Sequence, residues 1–140
     1  PAGLLERLPR GIVNLHPSLL PRYRGASPVP AAILSGDATT GVTTIVMDAG
    51  VDSGPVLAVQ PCPIDPSDTA VTLEARLAAL AAESIAGTVR LWARGELAAV
   101  PQSTDGVTVT KSEDLRGARL ATHVVEHGPH FRHHIRIRVE

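Results

Sequence analysis

The sequence predicts an α/β fold, and three stretches of the chain carry this prediction. Residues 11–16 (GIVNLH) are a short, mostly apolar run bounded by Gly and Pro, which is typical of a buried strand in a parallel sheet. Residues 41–47 (GVTTIVM) are rich in β-branched side chains, which favour a second strand. Residues 70–94 repeat apolar side chains at three- and four-residue steps, which indicates an amphipathic helix. Strands that alternate with helices favour α/β architecture.

The first half of the chain contains two predicted helices around the first strand. Residues 3–8 are predicted to form a short helix before the strand at 11–16. A proline-bracketed loop over residues 17–25 leads to a second helix, which Ser27 can cap and whose first turn tolerates prolines. We expect this helix to run to about Ser35, where glycine and aspartate follow.

The second half contains a further strand and the longest helix. A loop over residues 48–54 follows the strand at 41–47, and residues 55–63 are expected to form a weaker strand at a sheet edge because they contain prolines. The helix over residues 70–94 has cap candidates on its N-terminal side and Gly95 as its stop. The cap candidates are Ser67, Asp68 and Thr69. The apolar residues that recur at these steps are Leu73, Leu77, Leu80, Ala81, Ile85, Val89 and Trp92. Those predicted to pack on the sheet are Leu73, Leu77, Leu80, Ile85 and Val89.

Length and composition indicate one globular domain and exclude several classes of protein. The chain has 140 residues, of which 44% are hydrophobic and 19% charged, a composition that excludes a disordered chain or a coiled-coil rod. A net charge of −1 argues against a general nucleic-acid binder. Because the chain lacks a long apolar run and a signal-peptide pattern, we expect a cytoplasmic protein without a membrane span. Cys62 is the only cysteine, so neither a disulfide nor a cysteine-based zinc site is expected.

The last thirty residues differ in character from the rest. Five of the six histidines lie there. His123 and His127 are one helical turn apart, a spacing that can bind zinc or nickel. Gly128 and Pro129 interrupt any helix, however, so we interpret residues 112–140 as an atypical, disordered His- and Arg-rich tail without a metal site.

Three polar side chains follow predicted strands and form a chemically coherent set: Asn14, His16 and Asp52. Ligands of α/β sheets bind outside the carboxyl ends of the strands. An Asn amide can donate to an oxyanion, a His can move a proton near neutral pH, and an Asp can hold that His in one tautomer. The set suits direct transfer of a group onto an amine, because no protein nucleophile is needed. Each residue taken alone is more typical of an ordinary turn or loop.

Four motifs occur in order between residues 14 and 57: Asn-x-His, Ser-Leu-Leu-Pro, a strand beginning Gly-Val-Thr, and a loop ending Asp-x-Gly. This segment resembles the formyltransferase family that uses 10-formyltetrahydrofolate. The resemblance implies a three-layer Rossmann-like fold, of which residues 1–111 are the C-terminal half of the catalytic domain. It also implies catalysis by Asn14, His16 and Asp52 without a metal. The residues that it places at the folate site are Ser18, Leu19, Leu20, Pro21, Met47, Asp48, Gly50, Val51 and Gly54.

Three further segments resemble the members of this family that formylate methionyl-tRNA: residues 22–26 (RYRGA), 36–37 (GD) and 100–102 (VPQ). The resemblance implies an aminoacylated initiator tRNA as acceptor. Arg22 and Arg24 are then candidate phosphate contacts, with a solvated loop pair as the alternative. A formyltetrahydrofolate hydrolase, a glycinamide ribonucleotide formyltransferase, and a noncatalytic fragment that folds with a partner or by self-association remain open.

Overall fold

The computed structural model describes residues 8–111. Their elements, in chain order, are β1 (Val13–His16), β2 (Arg24–Gly25), α1 (Pro28–Leu34), β3 (Thr39–Val46), β4 (Val56–Pro63), α2 (Ala70–Arg94) and β5 (Val109–Thr110). The predicted helix over residues 3–8 and the predicted tail over residues 112–140, with its histidines, lie outside the described residues.

The main sheet has three strands in the order β1-β3-β4, and both pairings are antiparallel. Val13 lies opposite Val46 and His16 opposite Thr43. The prediction of a parallel partner for β1 is therefore wrong for the described strands, because apolarity indicates burial and does not fix strand direction. The edge position predicted for β4 is confirmed within this sheet. A second ladder, which the sequence analysis did not predict, pairs β2 with β5 in parallel.

Local capping signals define the long helix α2. It covers the predicted residues 70–94 and begins after Thr69, whose hydroxyl accepts from the backbone N–H of Thr72 while the Thr72 hydroxyl accepts from the backbone N–H of Thr69. It ends at Gly95, which has the left-handed conformation (φ 74°) that a side chain would disfavour. The shorter α1 begins with Pro28 after Ser27, whose side chain makes no capping hydrogen bond.

The core lies between the sheet and the two helices. Its buried members are Val29, Val42, Cys62, Leu73 and Leu77. Leu73 and Leu77 are at most 1% exposed, which confirms that the first half of α2 packs on the sheet. The prediction for Val89 is wrong, because this side chain is 40% exposed and the neighbouring Thr88 is buried instead. One residue turns a helix by about 100°, so a small error in the buried face moves a position into solvent.

One threonine of β3 fixes the loop that follows β1. The Thr43 hydroxyl donates to the Ser18 carbonyl (2.6 Å) and accepts from the Leu20 backbone N–H (3.1 Å). These bonds hold the first part of the loop against β3. Among the described residues no helix is long and apolar enough to cross a membrane.

Candidate active site

His16 is the last residue of β1 and is almost fully enclosed, with 4% of its surface exposed. Its Nδ1 lies 3.5 Å from Oδ2 of Asp52, which is ion-pair distance. Its Nε2 lies 2.8 Å from the backbone carbonyl oxygen of Tyr23, to which it donates a hydrogen bond. Both ring nitrogens therefore face an oxygen that can accept a hydrogen bond.

Both residues that supply these oxygens have an unusual backbone. Tyr23 (φ 58°) and Asp52 (φ 46°) are the two residues other than glycine with positive φ in the described part of the chain. Residues other than glycine rarely adopt this left-handed backbone conformation, and those that do are concentrated at functional sites. The Asp52 carboxylate is also fixed from a second side, since its Oδ2 accepts from the Gly25 backbone N–H at 2.8 Å.

Asn14 lies on the same strand as His16. Residues two apart on a strand point to the same face, so the side chains of Asn14 and His16 share one face of β1. Asn14 is partly exposed. The structure thus brings Asp52 to His16 and places Asn14 beside them along the strand, which is the grouping predicted from the sequence.

The Ser18–Pro21 segment has mainly internal partners. Ser18 is fully buried, and its hydroxyl donates to the Arg22 carbonyl at 2.6 Å. Its own carbonyl is bound by Thr43, as is the backbone N–H of Leu20. Ser18 therefore shapes the loop, while Leu19, Leu20 and Pro21 remain partly exposed beside it.

The loop between β3 and β4 presents apolar side chains to solvent. Met47 is 42% and Val51 62% exposed. Asp48 organises the loop, because its carboxylate accepts from the Gly50 backbone N–H and from the Ser53 hydroxyl. At Gly54 any side chain would collide with the Val46 carbonyl, so the close return of the loop requires glycine there.

Both predicted phosphate-contact arginines have partners within the protein. Arg22 donates to Asp37 and to the Tyr23 hydroxyl, and its guanidinium lies 4.8 Å from the centre of the Tyr23 ring. The hydrogen bond to Asp37 is the main reason why the pKa of Arg22 is raised above its ordinary value. Arg24 donates to the side-chain oxygen of Gln102 through Nε and Nη2. The Arg22 side chain nevertheless remains 48% exposed.

Sequence reasoning missed two supports of the site. The Tyr23 carbonyl is a backbone group, and no side-chain pattern marks it as a partner of His16. Gln102 lies far along the chain from Asp52, and although its motif contributed to the family resemblance, nothing in the spacing connects the two residues. Within residues 8–111 no group of three His, Cys, Asp or Glu side chains is arranged to hold a metal ion.

Comparisons with known sequences agree on one family. The family model described as "Formyl transferase" matches residues 1–89. A methionyl-tRNA formyltransferase of Janthinobacterium sp. (strain Marseille) is 50% identical over 102 residues, which cover 73% of this chain and 32% of that protein. The one of Sorangium cellulosum (strain So ce56) is 43% identical over 132 residues, covering 91% of this chain and 42% of that protein. The chain thus spans well under half of these relatives.

Solved structures confirm the α/β formyltransferase fold. The formyltransferase PseJ from Anoxybacillus kamchatkensis, in complex with UDP-4,6-dideoxy-4-formamido-L-AltNAc and tetrahydrofolate, superposes with a TM-score of 0.74. It is 28% identical, and the match covers 82% of this chain and 60% of that one. Glycinamide ribonucleotide transformylase 1 from Symbiobacterium toebii has a TM-score of 0.67 at 29% identity, covering 71% of this chain and 50% of that one.

Proposed function

Because this chain belongs to the formyl transferase family, we propose that it carries the catalytic residues of an enzyme that moves a formyl group from 10-formyltetrahydrofolate to the amino group of methionyl-tRNA. Residues 1–111 are the part of the catalytic domain to which we assign this role. The observation that carries the proposal is the contact between buried His16 and Asp52 at 3.5 Å, with Asn14 on the same strand face.

The reaction needs an amine, a formyl carbon and a place for one proton. The acceptor amine attacks the formyl carbon and forms the new C–N bond, and the bond between that carbon and N10 of the folate then breaks. The amine loses a proton and N10 gains one. Asp52, whose carboxylate lies beside His16, is the group that we assign to this proton movement, which is typically worth about 10²- to 10⁴-fold in rate.

The tetrahedral intermediate carries negative charge on the formyl oxygen. We assign hydrogen bonding of this oxygen to the Asn14 amide. We assign His16 to hold Asp52 beside this intermediate, since its Nδ1 lies 3.5 Å from the Asp52 carboxylate and its Nε2 binds the Tyr23 carbonyl. Because Nε2 of His16 already binds the Tyr23 carbonyl, we assign the direct hydrogen bond to the oxyanion to Asn14 and not to this nitrogen.

Two features support folate as the donor. Met47 and Val51 have exposed apolar side chains close to Asp52 in the sequence, just before and within the loop that carries it. They offer a surface for a flat pterin ring. PseJ, which shares the fold, was solved with tetrahydrofolate. We assign Asp48, Gly50 and Gly54 to the shape of this loop, and Ser18–Pro21 to the opposite side of the same site.

The identity levels support methionyl-tRNA as the acceptor. The two relatives bearing that name are 50% and 43% identical, whereas the sugar and glycinamide ribonucleotide enzymes compared above are 28% and 29% identical. The exposed part of Arg22 and the remaining Nη1 of Arg24 are the groups that we assign to the tRNA phosphates. Charged initiator tRNA is used in the cytoplasm, and we place the protein there.

The test compares three acceptors with the full-length protein: methionyl-tRNA, glycinamide ribonucleotide and water. Transfer from 10-formyltetrahydrofolate to methionyl-tRNA is the expected activity, and Asp52→Asn should lower its kcat by on the order of 10²- to 10⁴-fold. Asp65→Asn, an exposed acid before α2, is the matched control. Release of free formate, formylation of glycinamide ribonucleotide, or full activity of Asp52→Asn would overturn the proposal.

A further inference from the structure

The segment from Val100 to Thr110 follows α2 and runs along the candidate active site. At one end Val100 pairs with Val56 of β4 through two backbone hydrogen bonds of 2.7 and 2.8 Å. At the other end β5 pairs with β2. The segment is therefore held at both ends by backbone pairing, and Gln102 lies between them.

Both the nitrogen and the oxygen of the Gln102 side-chain amide form hydrogen bonds. Its Nε2 donates to the carbonyl oxygens of Asp52 and Gly54, both at 2.8 Å. Its Oε1 accepts from Nε (3.2 Å) and Nη2 (2.7 Å) of Arg24. Carbonyls only accept and a guanidinium only donates, so one orientation of the amide satisfies all four contacts and the reverse orientation satisfies none.

These bonds act on Asp52 from two directions. The two carbonyls belong to Asp52 itself and to the residue two positions later, so they bracket the left-handed turn that aims the carboxylate at His16. Arg24, the third partner, precedes Gly25, whose backbone N–H binds the carboxylate. Gln102 thus ties the backbone of Asp52 to the strand that holds its side chain.

We propose that Gln102 is a positioning residue for formyl transfer, which acts by holding the Asp52 turn so that the carboxylate stays within reach of His16. The inference rests on the proposed function for its kinetic part and on the hydrogen bonds alone for its structural part. A misplacement of about 1 Å in a catalytic group can cost about 10²-fold in rate, and that is the effect expected when the amide donors are lost.

The experiment uses the full-length protein with Gln102→Ala, Gln102→Glu and the control Asp105→Ala, an exposed residue of the same segment. Gln102→Glu keeps the length of the side chain and an acceptor for Arg24, but replaces the donors with oxygen. We expect kcat to fall by roughly 30- to 100-fold in both Gln102 variants, with KM for 10-formyltetrahydrofolate within about threefold of the parent. The NMR signals of the His16 ring nitrogens should shift in both variants and not in the control.

The outcomes separate this inference from the proposed function. If the parent protein transfers no formyl group, the proposed function fails, and the His16 signals alone decide the role of Gln102. Unchanged His16 signals in Gln102→Glu overturn the inference. Wild-type kcat in Gln102→Glu also overturns it, since the contact to Arg24 would then suffice. If Gln102→Ala does not fold, the isosteric Gln102→Glu variant alone tests whether Gln102 positions Asp52.

Discussion

Two neighbouring threonines of β3 differ in their hydrogen bonding, and that difference predicts different contributions to stability. Thr43 and Thr44 are both fully buried. The Thr43 hydroxyl binds the carbonyl of Ser18 and the backbone N–H of Leu20, whereas the Thr44 hydroxyl has no hydrogen-bond partner among the described residues. A buried polar group that loses its partner costs about 1–3 kcal/mol.

Thr43→Val should therefore lower the free energy of unfolding by about 1–3 kcal/mol, because it leaves the buried Ser18 carbonyl and the partly buried Leu20 N–H without this partner. Thr44→Val, at nearly the same volume, should be neutral or stabilising, because it replaces an unpaired hydroxyl with a methyl group. Urea denaturation of both variants measures the difference. Equal losses in the two variants would contradict this reading of the Thr43 contacts.

A second prediction for a single residue concerns the catalytic role of the Asn14 amide. If its amide donates to the oxyanion, Asn14→Ala should lower kcat for formyl transfer by on the order of 10²- to 10³-fold, with little change in KM for the folate. Asn14→Asp, which replaces the donor with a carboxylate of the same shape, should lose at least as much. An Asn14→Ala protein with near-parent kcat would remove Asn14 from the catalytic set.

At the site, the sequence predicted the polar side chains but not their supports. Asn14, His16 and Asp52 could be recognised because their residue types and order carry chemical meaning. The Tyr23 carbonyl and the Gln102 amide could not, because one is a backbone atom in an unusual conformation and the other is brought close only by folding. The predicted phosphate contacts Arg22 and Arg24 also have partners within the protein, which local sequence does not reveal.

At the scale of whole elements, the buried face of α2 contributes Leu73 and Leu77 to the core. Leu77→Ala should lower the free energy of unfolding by about 2–5 kcal/mol, because this side chain is 1% exposed and lies in the core. Val89→Ala, on the exposed part of the same helix, should cost about 1 kcal/mol or less. Thermal or denaturant unfolding of the pair checks the assignment, and a similar loss in both variants would refute it.

Element boundaries were predictable where their causes are local. The ends of α2 follow from Thr69 and Gly95, which act within one turn of the helix. The direction of β1 relative to β3 was not predictable, because a short apolar run looks the same in parallel and antiparallel pairs. The two-residue strands β2 and β5 could not be predicted either, since each exists only through its pairing with the other.

At the scale of the whole molecule, the absence of a metal site among the histidines of residues 123–134 remains a prediction. Replacing His123, His127, His130, His133 and His134 together by serine should leave formyl transfer by the full-length protein within about threefold of the parent, because the Gly-Pro pair at 128–129 interrupts the helical spacing that a metal site would need. Added zinc should not change the rate of either protein. A zinc-dependent rate that disappears in the serine variant would reveal a metal site there.

Trp92 gives the chain an optical reporter. It is the only tryptophan in the sequence, it lies in the last turn of α2, and its indole N–H donates to the Arg10 carbonyl at 3.0 Å just before β1 begins. The tryptophan emission therefore senses whether the end of α2 is in contact with the residues just before β1. Fluorescence from this chain can consequently follow that one contact separately from the helix content that circular dichroism records.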